Sequence, residues 1–238
     1  MHPPGADLWF NTIRYSVPSL IVFGLGCVLW LVASVAILQR ARTNTFVEIP
    51  AAAVVANVSW EFIWSFVYTG DTGRLLEFGY RGWVFLDFVI VYYLFGYGTS
   101  QVVTPTLRPY FRPAVAFGIA SWSIALDYFV REGYDMSMGA TSAYIINVMM
   151  SAVYITLLQS HPERKFSLVI GWTKGLGTAC FSLFMFMEPL RRYGDEALAG
   201  KGFLLTLCVV TLVLDIVYVV MLHRAADGRR ARRCRHRQ

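Results

Sequence analysis

Residues 18–39 read PSLIVFGLGCVLWLVASVAILQ, a run in which no side chain is charged. An α-helix needs about 20 mainly apolar residues to cross the hydrocarbon core of a bilayer, so this run is long enough to span it. The run contains no clear small-residue cleavage site, which favours a retained transmembrane helix over a signal peptide that is removed.

The rest of the 238-residue chain has the same character, with 56% hydrophobic and only 15% charged residues and a mean hydropathy of +0.51. Such values lie well outside the range of soluble globular domains. Six further apolar runs of spanning length follow, at 47–69, 82–102, 113–130, 139–159, 166–187 and 202–222. The sequence therefore predicts an all-α polytopic membrane protein, with a seven-transmembrane-helix bundle over residues 1–222 and a basic tail over residues 223–238.

Lysine and arginine in the short connections predict the orientation of the bundle, because cytoplasmic loops carry an excess of both. One set of connections is basic and contains Arg40, Arg42, Arg108, Arg112, Arg164 and Lys165. The opposite set mixes its basic residues with aspartate and glutamate. We therefore expect the N-terminus outside and the C-terminus in the cytoplasm, in a multi-pass integral membrane protein that lies in the cell membrane if the source is bacterial.

The tail contains seven arginines after Leu222 and accounts for much of the net charge of +6. Near a membrane surface each basic residue attracts anionic head groups by about 1 kcal/mol. Nucleic-acid binding is not favoured, because the tail directly follows a predicted transmembrane helix and has no interleaved aromatic residues. No cysteine pair has the spacing of a redox or metal-binding motif, so we expect neither a structural disulfide nor a metal site.

Ionisable residues inside a membrane span are costly and by default suggest function. The predicted spans and their ends contain Glu61, Asp87, Asp127, Lys174, Glu188 and Asp215. Asp127 and Glu188 each precede arginines by about one turn, which predicts interfacial ion pairs. Lys174 is expected to snorkel towards the basic inner side. Asp87 lies about one turn inside its span, where it would either snorkel or join a polar network.

Glu61 and Asp215 are harder to explain structurally, since they lie about 12 Å and about 10 Å from the nearer ends of their spans. Other polar and aromatic residues lie on the same helix faces as these two acids, and more of them lie on other spans. The candidate substrate-binding residues are Asn57, Trp60, Trp64, Tyr68, Asp87, Tyr144, Asn147 and Tyr218. One alternative is that these groups only tie helices together, each by about 0.6–2 kcal/mol. The other is an aromatic pocket with two carboxyl groups. A carboxylic acid in an apolar cavity keeps its proton at neutral pH and is able to donate it.

Two segments also resemble a known family: NVSWEF at residues 57–62, and LDIVY, which contains Asp215 and Tyr218. They are similar to the small membrane-integral terpene cyclases of meroterpenoid and indole-terpenoid pathways. In that family a glutamate and an aspartate form an essential acidic pair, and the matching positions here are Glu61 and Asp215. The resemblance implies an isomerase that cyclises a linear prenyl chain attached to an aromatic, indole or cyclic-dipeptide head group.

The sequence contains neither the DDxxD motif of diphosphate-ionising cyclases nor the DxDD-like motif of soluble protonating cyclases. We therefore expect initiation by metal-free protonation of a terminal alkene or epoxide, with no cofactor. The expected partners are a prenylated small molecule and membrane lipid, without an obligatory protein partner. The Ala- and Arg-rich tail suggests a GC-rich bacterial gene, and among the resembling cyclases the bacterial members are associated with alkene protonation.

Two other classes of protein fit a bundle with buried acids. A proton-coupled small-molecule transporter or a seven-helix receptor would use such acids to relay protons or to bind a cationic ligand. A rhodopsin-like retinal protein is disfavoured because the last span has no lysine inside it. A non-catalytic membrane scaffold would tolerate amide replacement of both carboxyl groups.

Overall fold

The computed structural model describes residues 8–195, 198 and 200–235, with side chains described as far as residue 228. Within these residues the chain is helical throughout and forms no β-strand beyond isolated bridges. The seven α-helices are α1 (Val17–Asn44), α2 (Ala51–Phe62), α3 (Arg74–Tyr97), α4 (Phe111–Arg131), α5 (Ala140–Ser160), α6 (Leu168–Met187) and α7 (Gly202–Arg235). The predicted all-α class is confirmed.

Six of these helices are long and apolar enough to cross a membrane, and their outer faces carry large apolar side chains such as Phe85, Phe117 and Ile216. The exception is α2, which together with a π-helical continuation at Ile63–Val67 is a shorter apolar helix. The count of seven membrane crossings therefore stays a prediction.

Helix boundaries differ most from the sequence prediction in α3 and α7. Helix α3 begins at Arg74, earlier than the predicted start at 82, because its first turns are polar but still helical. Helix α7 continues to Arg235, well beyond the predicted end of the span at 222. Most of the predicted basic tail is thus a helical extension of α7, and residues 236–238 lie outside the described residues.

Small residues let α1 and α6 pack closely along much of their length. A Cβ added at Gly26 would lie 3.1 Å from the carbonyl oxygen of Gly177, and one added at Gly177 would lie 3.2 Å from the carbonyl oxygen of Gly26. Close approach of backbones at small residues is a common way for helices to associate in membranes. The same approach brings Trp30 of α1 against Gly177.

The connections between helices meet in two groups, one at each end of the bundle. At one end the side chain of Gln101, after α3, donates to the carbonyl oxygens of Val47 and Ile49, before α2. His161, after α5, contacts the carbonyl of Gln101 there. At the other end, the amide of Asn11 donates to the backbone of Asp71, after α2. Successive helices therefore run in alternate directions.

Helix α2 is the most enclosed element, with buried residues on nearly all sides. Ser59 Oγ donates to the carbonyl of Ile119, so α2 packs directly on α4. After Phe62 the helix widens into the π-helical turn, in which the N–H of Tyr68 bonds to the carbonyl of Ile63 at 3.0 Å. A π-helical turn changes the angular spacing of side chains, and such turns often occur at functional sites.

Candidate functional site

A cavity opens inside the bundle between α1, α2, α3, α5 and α6. It encloses about 820 Å³ of space free of protein atoms, part of which is open to the surroundings. Aromatic side chains form much of its wall: Phe23, Trp30, Trp60, Tyr80, Trp83, Tyr144 and Phe181. Polar side chains also face it, among them Ser34, Asn57, Glu61, Asp87 and Asn147. This is the mixture of many apolar walls and few polar groups that small-molecule sites show.

Glu61 has a buried oxygen without a hydrogen-bond partner at the cavity. Its side chain lies on α2 and is 8% exposed, and its Oε2 atom has no hydrogen-bond partner among the described residues. Asn147 Oδ1 and Trp30 Nε1, also at the cavity, are likewise without a partner in the described part of the chain. A buried polar atom left unpaired costs about 1–3 kcal/mol. The cavity is therefore suited to a ligand that brings polar atoms or a proton acceptor.

Asp87 is held by an amide. The Nδ2 atom of Asn57 on α2 donates to Asp87 Oδ2 on α3 at 2.7 Å, which fixes one carboxyl oxygen. Asn57 and Glu61 are one turn apart, so α2 presents the amide and the free carboxyl group from the same face. The cavity therefore contains two carboxyl groups with different environments, one bound by an amide and one with an unpartnered oxygen.

Trp60 is fixed by the turn that precedes α5. Its indole N–H donates to Ser142 Oγ at 2.9 Å and lies 3.3 Å from the carbonyl oxygen of Gly139. Gly139 has a φ of 72°, and a Cβ there would lie 2.4 Å from the indole nitrogen of Trp64. The glycine is therefore needed for both its backbone conformation and the space that it leaves for the tryptophans.

Asp135, in the connection between α4 and α5, supports the same turn. Its carboxylate accepts from the backbone N–H groups of Met136, Thr141 and Ser142 and from Ser142 Oγ at 2.5 Å. Burial raises the pKa of Asp135 to about 6, and these hydrogen bonds oppose the rise. Asp135 thus holds Ser142, which in turn holds Trp60.

Asp215, the second predicted acid, lies away from the cavity, whose described lining does not include it. Its Oδ1 atom is 2.5 Å from Lys174 Nζ and accepts from Ser151 Oγ at 2.6 Å. The expectation that Lys174 snorkels to the inner side is wrong, because its side chain is 1% exposed. An adjacent carboxylate compensates the buried ammonium, so the lysine has no need to reach water.

Three of the predicted binding residues also lie outside the described cavity lining. Trp64 packs between Trp60, Tyr68 and Tyr193, and Tyr68 donates to Asp127 Oδ1 at 2.7 Å. The prediction assumed a regular α-helical stripe from Asn57 to Tyr68. The π-helical turn breaks that stripe after Phe62 and sends these side chains elsewhere. Tyr218 on α7 instead packs against Tyr154 in a tilted arrangement, with ring centres 5.2 Å apart.

Of the two predicted interfacial ion pairs, the first is present. Arg131 lies 3.0 Å from Asp127. The carboxylate of Glu188 accepts instead from the N–H and the hydroxyl of Ser16, which begins α1. This contact joins residues far apart in sequence, so local spacing gave no indication of it.

The family of the protein follows from its sequence as a whole. A family model of Pyr4-like transmembrane terpene cyclases matches residues 12–227, a range that includes six complete helices and most of α7. The chain belongs to this family. Searches among curated proteins and solved structures found no match. Membership, together with six helices of spanning length, makes the protein an integral multi-pass membrane cyclase.

The sequence analysis missed the part of the cyclase cavity formed by α1 and, apart from Asp87, the part formed by α3. On α3, Tyr80 and Trp83 precede Asp87 at helical spacing, a pattern that would have placed them on the same face as the carboxyl group. On α1, Phe23, Cys27, Trp30 and Ser34 share one face at the cavity. That stripe gave no signal because α1 is apolar on every side.

Proposed function

We propose that this cyclase acts on a farnesyl-like chain attached to an aromatic, indole or cyclic-dipeptide head group, and that Glu61 starts the reaction by protonating the far end of the chain. The observation that carries the proposal is the carboxyl group of Glu61. It is buried, has an unpartnered oxygen, and belongs to a cavity with mostly aromatic walls.

The proposed first step breaks the O–H bond of the acid and forms a C–H bond at the terminal alkene. The positive charge is left on the more substituted alkene carbon, where the next double bond attacks it. With a terminal epoxide, the proton goes to oxygen and the opened ring becomes an alcohol. In both cases the last cation loses a proton, so the product is an isomer of the substrate. The step ionises no diphosphate and requires no metal ion.

Between the two acceptors, we favour the alkene. The composition of the tail suggests a bacterial gene, and bacterial cyclases that this chain resembles are associated with alkene protonation. An alkene is a much weaker base than an epoxide, so it requires a stronger acid in a drier environment. The 8% exposure of Glu61 supplies the dry environment and keeps the acid protonated, whereas stronger acidity would require a second polar group hydrogen-bonded to its carboxyl group.

The aromatic walls would stabilise the cations that form along the chain. The face of an indole or phenol attracts a desolvated cation by up to about 2 kcal/mol. Trp30, Trp60 and Trp83 approach the cavity from three helices, so a folded prenyl chain would meet indole rings from several directions. An apolar cavity also keeps water away from the cation until the rings have closed.

The direct test is conversion of farnesylated substrates by the purified protein in detergent, with a metal chelator present. We expect a product of unchanged mass and changed retention. Glu61→Gln keeps the size of the side chain and removes the transferable proton, so its turnover should fall by roughly 10²–10⁴-fold, the usual contribution of a general acid. The measurement is product formed per folded molecule.

The matched control is Asp127→Asn, which changes a carboxyl group outside the described cavity lining and should alter turnover only mildly. A folded Glu61→Gln protein with wild-type turnover would exclude Glu61 as the proton donor. A proton-coupled transporter, in contrast, would leave every substrate chemically unchanged in detergent.

A further inference from the structure

Three helices of the bundle share a buried charged cluster behind the cavity. Lys174 Nζ on α6 lies 2.5 Å from Asp215 Oδ1 on α7 and donates to Ser151 Oγ on α5 at 2.8 Å. The exposure of the three residues is 1%, 4% and 0%. None of them is among the described residues that line the cavity. The cluster is therefore a buried ion pair with one hydroxyl group, set between helices, in which Asp215 Oδ2 has no hydrogen-bond partner among the described residues.

Lys174 also contacts the wall of the cavity from behind. Its Nζ atom is 5.9 Å from the centre of the Trp30 ring and 5.6 Å from that of Tyr154. Trp30 lines the cavity and rests on α6 at Gly177, where a Cβ would lie 2.6 Å from Trp30 Cδ1. The indole of Trp30 is thus held between the cavity on one side and Gly177 and the ammonium group on the other.

A positive charge at this place has a consequence for a reaction that forms carbocations. Charges interact over long distances where the dielectric is low, so an uncompensated ammonium group behind Trp30 would raise the energy of every cation in the cavity. The adjacent carboxylate of Asp215 cancels most of that field. Two apolar side chains would join the helices as well as an ion pair does, so helix packing alone does not account for the pair.

We propose that Asp215 is the counter-ion of Lys174 and that both are positioning residues, which hold Trp30 at the cavity wall while keeping the charge behind it near zero. The inference rests on the cyclase mechanism proposed above and leaves proton donation to Glu61. Loss of Asp215 then abolishes turnover because it exposes the reaction to the charge of Lys174. In such a mechanism Asp215 is essential because it neutralises Lys174, although it donates no proton to the substrate.

The test is a double-mutant comparison of Asp215→Asn, Lys174→Met and the two combined. Asp215→Asn should lose at least about 100-fold in turnover, an effect as large as the loss of a general acid. Adding Lys174→Met removes the unpaired charge, and turnover should return to within about tenfold of wild type, because a buried ion pair is often replaceable by neutral groups. The ratio of fully cyclised to prematurely quenched products should stay altered, since Trp30 has lost its support.

A folded double variant that is as inactive as Asp215→Asn would overturn the inference and return Asp215 to the role of proton donor. The matched control combines Lys174→Met with Glu61→Gln, which should stay inactive because the proposed proton donor has been removed. Rescue in that combination as well would also overturn the inference. If Asp215→Asn does not fold, the folded double variant is compared directly with wild type and decides the question in the same way.

Thermal unfolding of the same variants separates this inference from the proposed function. Lys174→Met should raise the melting temperature of Asp215→Asn, because a buried charge without a partner destabilises the fold more than its removal does. If Lys174→Met does not raise the melting temperature of Asp215→Asn, the proposed ion pair is contradicted, whatever turnover the variants show. A wild-type protein that cyclises no prenylated substrate contradicts the proposed function instead, and the coupling in melting temperature still tests the ion pair.

Discussion

At the scale of single residues, three buried carboxyl groups with the same chemistry have different partners. Asp215 has one oxygen against an ammonium group and its other oxygen without a partner among the described residues, and it lies outside the described cavity lining. Asp87 accepts from the amide of Asn57, and Glu61 has an unpartnered oxygen at the cavity and no ion pair among the described residues. An ion pair favours the charged carboxylate, and apolar surroundings favour the protonated acid. The ion-pair and hydrogen-bond partners of each carboxyl group, more than its residue type, therefore make Glu61 the group suited to donate a proton.

Asp135 lies outside the predicted spans and allows a prediction about how the stability of the protein depends on pH. Burial raises its pKa from 3.8 to about 6, so the folded state binds the proton more tightly than the unfolded chain does. Its contribution to stability is fully present below pH 3.8 and is lost as the pH rises through about 6. We expect Asp135→Asn to have a flatter profile of melting temperature against pH over this interval.

The pKa of Glu188 is shifted in the opposite direction to that of Asp135, so its contribution to stability should depend on pH in the opposite way. Burial alone would raise the pKa of its carboxyl group, but hydrogen bonds from Ser19 and Ser16 and the charge of Lys201 bring it below its usual value. Stability from Glu188 is therefore present above its ordinary pKa of 4.5 and is lost as the pH falls.

For Asp135, the contradicting outcome is the same profile of melting temperature against pH in Asp135→Asn and wild type. That result would show that the raised pKa of Asp135 does not influence folding.

At the scale of helices, sequence periodicity nominated residues of which only some line one cavity. Asn57, Trp60 and Glu61 lie in the regular part of α2 and line the cavity. Trp64 lies in the π-helical turn and Tyr68 directly follows it, and no single-sequence pattern predicts that turn. Asp215 was predicted to face the same pocket from its depth in the span, its helix face and the family resemblance, but the pairing of α7 with α5 and α6 is a tertiary contact that none of these reveals.

The turn between α4 and α5 gives a second prediction. Gly139→Ala should lower the melting temperature and the yield of folded protein, because the new Cβ would meet Trp64 at 2.4 Å and the backbone has a positive φ. Displacement of Trp64 should also disturb Trp60, so cyclisation should produce more prematurely quenched product. Melting temperature and product ratio measure the two effects.

Gly133→Ala is the matched control for that change. Gly133 has a similar φ of 75°, and a Cβ there would meet nothing within 4 Å. The Gly133→Ala variant therefore has the backbone strain of an alanine at positive φ but no steric clash. If both variants lose stability equally and keep the wild-type product ratio, contact with the tryptophans is not the reason for glycine at 139.

At the scale of the whole molecule, the cavity is a property of the bundle and belongs to no single helix. Five helices contribute to its wall, and α7 supports that wall from behind, with Asp215 paired to Lys174, whose ammonium group lies behind Trp30. Composition and apolar runs predicted the helices and their order because each run is a local feature. The enclosed position of α2 was not predictable in this way, since an apolar run reads the same whether lipid or protein surrounds it.

That enclosure bears on whether α2 crosses the membrane. The apolar helix Ala51–Val67 is roughly 25 Å long at 1.5 Å per residue, somewhat less than the hydrocarbon core of about 30 Å. Because α2 is surrounded by other helices, protein and not lipid meets most of its length, and a short helix is tolerated there. Its flanking connections also contact opposite ends of the bundle, through Gln101 on one side and Asn11 on the other.

We therefore expect seven crossings, which place the two termini on opposite sides of the membrane, with the basic end of α7 in the cytoplasm. Reporters active on only one side, fused after Asn44 and after Gly73, bracket α2 directly. The first fusion should report the cytoplasm and the second the outside, because the positive-inside bias retains the connection containing Arg40 and Arg42. A third reporter after Ala226 should again report the cytoplasm. Identical locations for the first two fusions would mean that α2 enters the bundle without crossing, and the termini would then lie on the same side.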